Sequence, residues 1–260
     1  MYATERQRLI EQLIETDGRV AVLQLAERFG VTTETVRRDL ALLEGTGLVR
    51  RVHGGAVSRT RASTVEPSIA ERTARGSSAK RAIARAAGEL IDDGFGGSVY
   101  LDAGTTTAAL AHLIAARTHV AHELEVVTHS MTVAQVLAGV PSLGLTAIGG
   151  RVRGLTAAAV GAHTVEAISR LRPDIAFVGT NGIAAPFGLS TPDPDEAAVK
   201  RAIVASARRV VVLADAEKFD AELLVSFAPL SSVDVLITDV PPRGELAVAL
   251  ADSDVEVVVA

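Results

Sequence analysis

Asp102-Ala103-Gly104-Thr105-Thr106-Thr107 is the run whose residue types point most directly to chemistry. Small residues let the backbone approach an anion, and three hydroxyls at a helix N-terminus supply donors to it. The run predicts a phosphate cradle, though not a Walker loop, which needs Gly-Lys-Ser/Thr at its end. Four more polar runs follow: Thr128-His129-Ser130, Gly149-Gly150-Arg151-Val152-Arg153, Gly179-Thr180-Asn181-Gly182 and Ala214-Asp215-Ala216-Glu217-Lys218-Phe219. Each alone reads more readily as a turn. Gathered on one sheet edge, all five make a site for a small polyhydroxylated phosphate.

The elements around these runs predict that gathering. Strand-like patterns at 98–102, 124–128, 143–148, 174–179, 210–214, 234–238 and 254–259 alternate with helical ones at 79–92, 105–116, 130–138, 162–171, 194–207 and 242–251. Runs such as Val210-Val211-Val212-Leu213-Ala214 are continuously apolar, as strands buried on both faces are. Strand and helix in alternation imply an α/β domain with a mostly parallel sheet, which binds ligands at the carboxyl ends of its strands.

The first sixty residues differ. Leu9, Ile10, Leu13 and Ile14 recur at helical spacing until Asp17-Gly18. A short helix fits 22–29, Gly30-Val31 turns, and Thr32 can cap a third helix running to about Glu44. Val36, Leu40 and Leu43 give that helix a buried stripe, leaving Thr33, Thr35, Arg37, Arg38 and Ala41 on the opposite face. A strand, Leu48-Val49-Arg50-Arg51-Val52, precedes the turn His53-Gly54-Gly55. This is the pattern of a winged helix-turn-helix. Its third helix would enter a major groove, Arg37 and Arg38 reaching guanine or phosphate, while Arg50 and Arg51 grip the backbone. A helical cap or oligomerisation module is the blander alternative.

Charge follows the same division. The net charge is −5, but the first 62 residues hold 10 Lys and Arg against 8 Asp and Glu, so the acidic excess lies beyond them. Residues 50–81 carry eight basic side chains against Glu66 and Glu71. An acidic body repels a polyanion, so any nucleic-acid contact belongs to the N-terminal part; a mere solvated surface would also fit so small an excess. Two Tyr, six Phe and no Trp argue against modules that stack single-stranded bases. The absence of cysteine removes disulfides and thiol sites. No apolar run is long enough for a membrane span, and the charged N-terminus shows no signal region, so the chain reads as soluble and cytoplasmic, with no membrane partner. Of six histidines, His119 and His122 stand three apart without a carboxylate at ligand spacing; both read as surface residues, and neither a metal nor a cofactor is expected. The stretch 58–67, rich in Ser, Thr and Arg and ending in Pro67, suits a linker. The expected organisation is a winged helix-turn-helix over 1–58, a linker over 59–77 and an α/β domain over 78–260.

The run Thr35-Val36-Arg37-Arg38-Asp39-Leu40, followed by Arg50-Arg51-Val52-His53-Gly54-Gly55-Ala56, resembles the bacterial DeoR family of transcriptional repressors. The resemblance spans nearly the whole chain. It implies a doubly wound α/β effector domain, similar to ribose-5-phosphate isomerase and CoA-transferase folds, that senses a phosphorylated sugar. It also adds His53 to the DNA-facing residues. In the body it places Asp102, Gly104, Thr105 and Thr106 at the phosphate end, beside Thr107, with His129, Ser130, Gly150, Arg153, Asn181, Glu196, Lys200 and Lys218 around the sugar. Glu196 and Lys200, four apart on one helix, can face the site together or form an ordinary i,i+4 ion pair. The chain departs from the family's pattern at Ala21, where a hydroxyl usually caps the second helix, and at Ala216, Glu217 and Asp220 around Lys218.

Three functions compete on this reading. The first is a repressor of a sugar-catabolism operon, released from double-stranded operator DNA by a sugar phosphate and working as a homodimer or homotetramer. The second is a sugar-phosphate isomerase with an N-terminal appendage, its base drawn from Asp102, Glu196 and Asp215. The third is a DNA-binding protein whose body only oligomerises.

Overall fold

The computed structural model describes all residues except Met1, Leu48, His53, 59–62, Val65, 92–93 and 118–123; of 15–17, 19, 50, 52, 57 and 58 it describes the backbone only. The chain divides into two units, Met1–Val65 and Glu66–Ala260.

In the first unit, helix α1 (Ala3–Asp17) ends where Gly18 takes a left-handed conformation. Strand β1 (Arg19–Ala21) leads into α2 (Val22–Phe29), and Gly30, also left-handed, turns the chain toward α3 (Thr33–Gly45). Strands β2 (Val49–Val52) and β3 (Gly55–Ser58) form the wing, with β3 central in the order β1-β3-β2. Gly55 is required there: a Cβ would lie 2.0 Å from the Val20 carbonyl oxygen. Ile10, Ile14, Leu25, Val36, Leu40 and Leu43 close one small core. Beneath it the Arg6 Nε–H donates to Asp39 Oδ2 at 2.6 Å, and Gln7 donates to Asp39 Oδ1 at 2.8 Å. Asp39 of the Arg-Arg-Asp-Leu run is thus a buried tie between α1 and α3.

The second unit opens with α4 (Ile69–Ala74) and α5 (Ser77–Glu89), then alternates: β4 (Gly97–Leu101), α6 (Thr105–Ala115), β5 (Leu124–Thr128), α7 (Met131–Leu137), β6 (Leu143–Ala147). A hairpin, β7 (Arg151–Arg153) and β8 (Ala158–Val160), precedes α8 (Ala162–Ser169) and β9 (Ile175–Gly179). Then come β10 (Gly182–Ala184), β11 (Gly188–Thr191), α9 (Pro194–Ser206), β12 (Val210–Leu213), β13 (Val225–Ala228), β14 (Val235–Thr238), α10 (Gly244–Asp252) and β15 (Glu256–Val259).

Seven strands form one parallel sheet in the order β15-β14-β12-β9-β4-β5-β6. Alternate strand residues feed opposite cores. Val99, Leu101, Phe177, Val211 and Leu213 pack with α5, α6 and α7. Tyr100, Ala176, Val178, Val210 and Val212 pack with α8, α9, α10 and the antiparallel sheet β10-β11-β13. This is the expected doubly wound arrangement. From β4 the chain winds outward through β5 and β6, then returns to the other side of β4 as β9. The carboxyl ends of β4 and β9 therefore flank the topological switch point, where such sheets bind ligands.

One expectation is corrected. Residues 66–77, read as linker, are folded: Ser68 and Glu71 form a reciprocal capping box that starts α4, and the Ile69 N–H bonds the Leu155 carbonyl at 3.0 Å.

Candidate functional site

At the switch point Asp102 follows β4 and is wholly buried. Its Oδ2 accepts the Gly179 N–H at the end of β9 at 2.9 Å and an N–H of Lys200, while Oδ1 accepts the Ala103 N–H at 2.8 Å. Lys200 Nζ also donates to the Gly179 carbonyl at 2.9 Å and lies 5.6 Å from the centre of the Phe227 ring. His129, just past β5, sits 3.7 Å from Asp102 Oδ1 and shares a 3.0 Å hydrogen bond with the Tyr100 hydroxyl. Burial lowers the His129 pKa to about 4; Lys200 adds to that effect and Asp102 opposes it. Its imidazole is accordingly neutral at pH 7.

A second cluster adjoins the first through α9. Asp193 caps this helix by accepting the Glu196 N–H at 3.0 Å, and Pro194 occupies its first turn. The Glu196 carboxylate accepts from the Thr156 hydroxyl and, at 3.1 Å, from Arg153. Burial raises the Glu196 pKa, and the nearby Glu66 charge adds to the rise. Glu196 and Lys200 take different partners, so the two are not the simple i,i+4 pair. Arg153 faces three carboxylates: Glu66 at 2.6 Å, Asp193 at 3.1 Å and Glu196 at 3.1 Å. Glu66 is also met by Arg72 at 3.6 Å and by the Asn181 amide at 3.4 Å.

Beyond Arg72 the network continues. Lys80 Nζ donates to the carbonyls of Arg72 and Arg75, the latter at 2.7 Å. Burial lowers the Lys80 pKa, with Asp215 opposing and Lys218 reinforcing the shift. Lys218 Nζ stands 4.0 Å from Asp215 Oδ1.

Three expected residues have local structural duties instead. The Thr107 hydroxyl is fully buried and donates to the Gly104 carbonyl at 3.0 Å, so it is turned into its own helix; Thr106 is buried and Thr105 half-buried. Ser130 Oγ accepts the Val133 N–H at 3.3 Å and caps α7. At Gly150, where φ is +155°, a Cβ would lie 2.0 Å from Thr164 Oγ1; close packing, not a ligand, accounts for that glycine. Glu66, Arg72, Lys80, Thr156 and Asp193 were not among the expected residues. Their one sequence signal was that Glu66 is among only two acids in the basic stretch 50–81.

In the N-terminal unit Thr32 caps α3, accepting the Thr35 N–H at 3.2 Å, while the hydroxyls of Thr32 and Thr35 lie 2.9 Å apart. Arg37 and Arg38 are exposed, and the solvated Glu34 lies 3.6 and 3.8 Å from them. Thr33 and Thr35 are half-buried on the helix's first turn. Arg51 is bound to Glu44, donating from its backbone N–H at 2.9 Å and from Nε at 2.7 Å. The Arg50 side chain and His53 lie outside the described residues, as do His119 and His122. Ala21 precedes α2 with no side-chain cap.

Among the described residues no group of three metal-ligating side chains is present and no helix is long and apolar enough to cross a membrane.

Comparison with known proteins assigns both units. Residues 6–62 match the DeoR-like helix-turn-helix domain and residues 75–240 the DeoR C terminal sensor domain. The glycerol-3-phosphate regulon repressor of Escherichia coli K12 is 32% identical over 98% of each chain. The HTH-type transcriptional regulator GlpR of Haloferax volcanii is 36% identical over 91% of this chain and 89% of that one. The uncharacterized regulator FruR of Bacillus subtilis is 34% identical over 92% of each. Ribose 5-phosphate isomerase A of Methanocaldococcus jannaschii superposes on 54% of this chain and 53% of its own at 17% identity and a TM-score of 0.38, a likeness too slight to bear on chemistry. The reading of the body as an isomerase with an appended head is set aside, because both units match a regulator: the chain belongs to the DeoR family of transcriptional regulators.

Proposed function

We propose that this regulator is a repressor that binds double-stranded operator DNA through α3 and the β2–β3 wing, and that a phosphorylated sugar at the carboxyl edge of the large sheet modulates that binding. The observation that carries the effector half is the meeting of Asp102, His129, Lys200, Glu196, Arg153 and Asn181 about the β4–β9 switch point, continued through Arg72 to Lys80, Asp215 and Lys218. Hydroxyl-rich ligands suit such an edge, where carboxylates accept and cations donate. Asp102, Gly104, Thr105 and Thr106 are proposed for the phosphate end and the remaining polar groups for the sugar.

The DNA half rests on Arg37 and Arg38, exposed on the helix that a winged module places in the major groove. Thr33, Thr35, Arg50, Arg51 and His53 are proposed to hold backbone or base edges beside them. One such module covers only about 600–1,000 Å² of DNA, so a homodimer or homotetramer on paired half-sites is proposed, acting in the cytoplasm where operators are.

The test uses an operator fragment selected from random DNA. Arg37→Ala and Arg38→Ala should each weaken the mobility shift by roughly 1–3 kcal/mol, or about 5- to 150-fold. In parallel, melting of the wild type is followed against glycerol 3-phosphate, fructose 1-phosphate, fructose 6-phosphate and deoxyribose 5-phosphate. An effector present at about 100 times its Kd stabilises by about 2.7 kcal/mol and should change the operator shift. Two arginine variants that bind operator like the wild type overturn the recognition helix. A panel that moves neither melting nor DNA binding overturns the effector half.

A further inference from the structure

The carboxyl edge is neutralised from within. Among its described cations, Lys200 is held by Asp102, Lys218 faces Asp215, Lys80 is capped by two carbonyls, and Arg153 and Arg72 share Glu66. A ligand that uses Arg153 or Arg72 cannot simply add to such a site; it must take the arginine away from a carboxylate already there.

The carboxylates differ in how firmly they are anchored. Asp102 is pinned by two backbone N–H groups as well as Lys200. Asp193 caps α9, Asp215 accepts the Glu217 N–H, and Glu196 rides on α9 with Thr156 bound to it. Among the described residues Glu66 is held by side chains instead: Arg153, Arg72 and Asn181. Its backbone belongs to no helix or strand, although its carboxylate is 1% exposed. A second observation marks the same corner. Among the described residues Arg72 Nε is buried without a hydrogen-bond partner, so the guanidinium beside Glu66 keeps a donor unused that an oxygen of the effector can fill.

We propose that Glu66 is the site's resident counter-anion, whose place on Arg153 and Arg72 the oxygens of the bound effector take, freeing residues 66–67, which lead from the DNA-binding unit to the Ser68 cap of α4. The inference rests on the reading of this edge as an effector site and adds its regulation. Glu66 is the first residue of the second unit. Its bond to Arg153 fixes the beginning of the body's chain; once the effector holds that arginine, the fixing is lost. The effector then needs no contact with DNA to be felt there, only a differential affinity for the state with Glu66 expelled.

The experiment compares the full-length wild type with Glu66→Gln, which keeps the shape and removes the charge. The titrants are the four sugar and glycerol phosphates above, followed by calorimetry. Glu66→Gln is expected to bind the ester that the wild type binds about tenfold more tightly, within the 5- to 150-fold usual for coupled sites. Without ester, its operator affinity should move in the direction in which saturating ester moves the wild type. Equal or weaker ester binding by Glu66→Gln overturns the proposal while leaving the effector site standing. If the wild type and the variant both ignore every ester, the effector reading falls and the proposal with it. Glu66→Asp, charged but one methylene shorter, guards against a folding defect: it should gain affinity by less than Glu66→Gln, and no gain counts against displacement.

Discussion

On α3 of the small unit, Arg37 and Arg38 stand in solvent with one shared carboxylate, Glu34, at 3.6 and 3.8 Å. At the edge of the large sheet, Arg153 is enclosed by three carboxylates within 3.1 Å, and Lys200 is 5% exposed against Asp102. Exposed pairs of the first kind are worth about 0–1 kcal/mol and are screened by salt, so these arginines are free to exchange Glu34 for phosphate or guanine. Groups of the second kind are removed from water and must exchange partner for partner. On the proposed function, a surface for a long polyanion and a site for a small ligand use the same guanidinium in two electrostatic settings. Among the described residues each unit also holds a deeply buried ion pair, Arg6–Asp39 in the small unit and Lys200–Asp102 in the large.

Those two pairs give the largest effects and the sharpest separation. Removing one partner of a buried pair leaves an uncompensated charge and costs about 3–5 kcal/mol. Asp39→Ala should lower the unfolding midpoint of the small unit and abolish operator binding while leaving effector-induced stabilisation of the body. Lys200→Ala should lower the midpoint of the body and abolish its effector response. Urea unfolding followed by circular dichroism, with mobility shifts and ester titrations on the same samples, reads all four outcomes. Loss of both activities in both variants would show that the units do not fold independently and would break the comparison.

Histidine sharpens it next. His129 titrates near 4 when folded because it is buried, against about 6.5 when unfolded. The unfolded chain therefore binds a proton that the native body refuses. Above pH 6.5 this costs nothing; as pH falls from 6.5 toward 4 stability declines by up to about 1.4 kcal/mol per pH unit. Glu196 works the other way, since its raised pKa makes the native state take up a proton first. The difference between the wild type and His129→Gln isolates the histidine: it should grow between pH 7 and pH 4.5 in the stability of the body. A difference that stays flat means that His129 is protonated in the native state.

What the sequence disclosed and withheld follows from element length and from how local each interaction is. The central strands β9, β12 and β14 were legible because strands buried on both faces are unbroken apolar runs, and the helices between the strands have full turns of periodicity. Strands β7, β8 and β10 have three residues each and β11 and β13 four; no period can be read in so few. Helix α4 has no buried residue, yet Ser68 and Glu71 had the spacing of a capping box. Asp102, His129 and Arg153 could be found because each follows a strand end, whereas Lys200, inside a helix, was pointed to only by the family resemblance. Glu66 could not: its part depends on Arg153 and Asn181, 87 and 115 residues away. The buried role of Asp39 was equally hidden, since its partner Arg6 lies 33 residues earlier on another helix.

The smallest expected effect tests a local defect in the small unit. Ala21 takes the N-cap position of α2 with φ −99° and ψ 137°, the extended backbone that a capping residue needs, but it offers no oxygen to the first-turn N–H groups. Glycine at the other end supplies what it should, the Gly30 N–H closing on the carbonyls of Ala26 and Glu27. Only the start of the helix is deficient. Ala21→Ser adds an acceptor for the Leu23 or Gln24 N–H and should stabilise the small unit by about 1 kcal/mol, seen as a higher urea midpoint with an unchanged slope. Because the substitution touches neither Arg37 nor Arg38, operator affinity at saturating folded protein should be unchanged. The melting of the body should not move at all, and a shift there would show the small unit's stability being transmitted across residue 66.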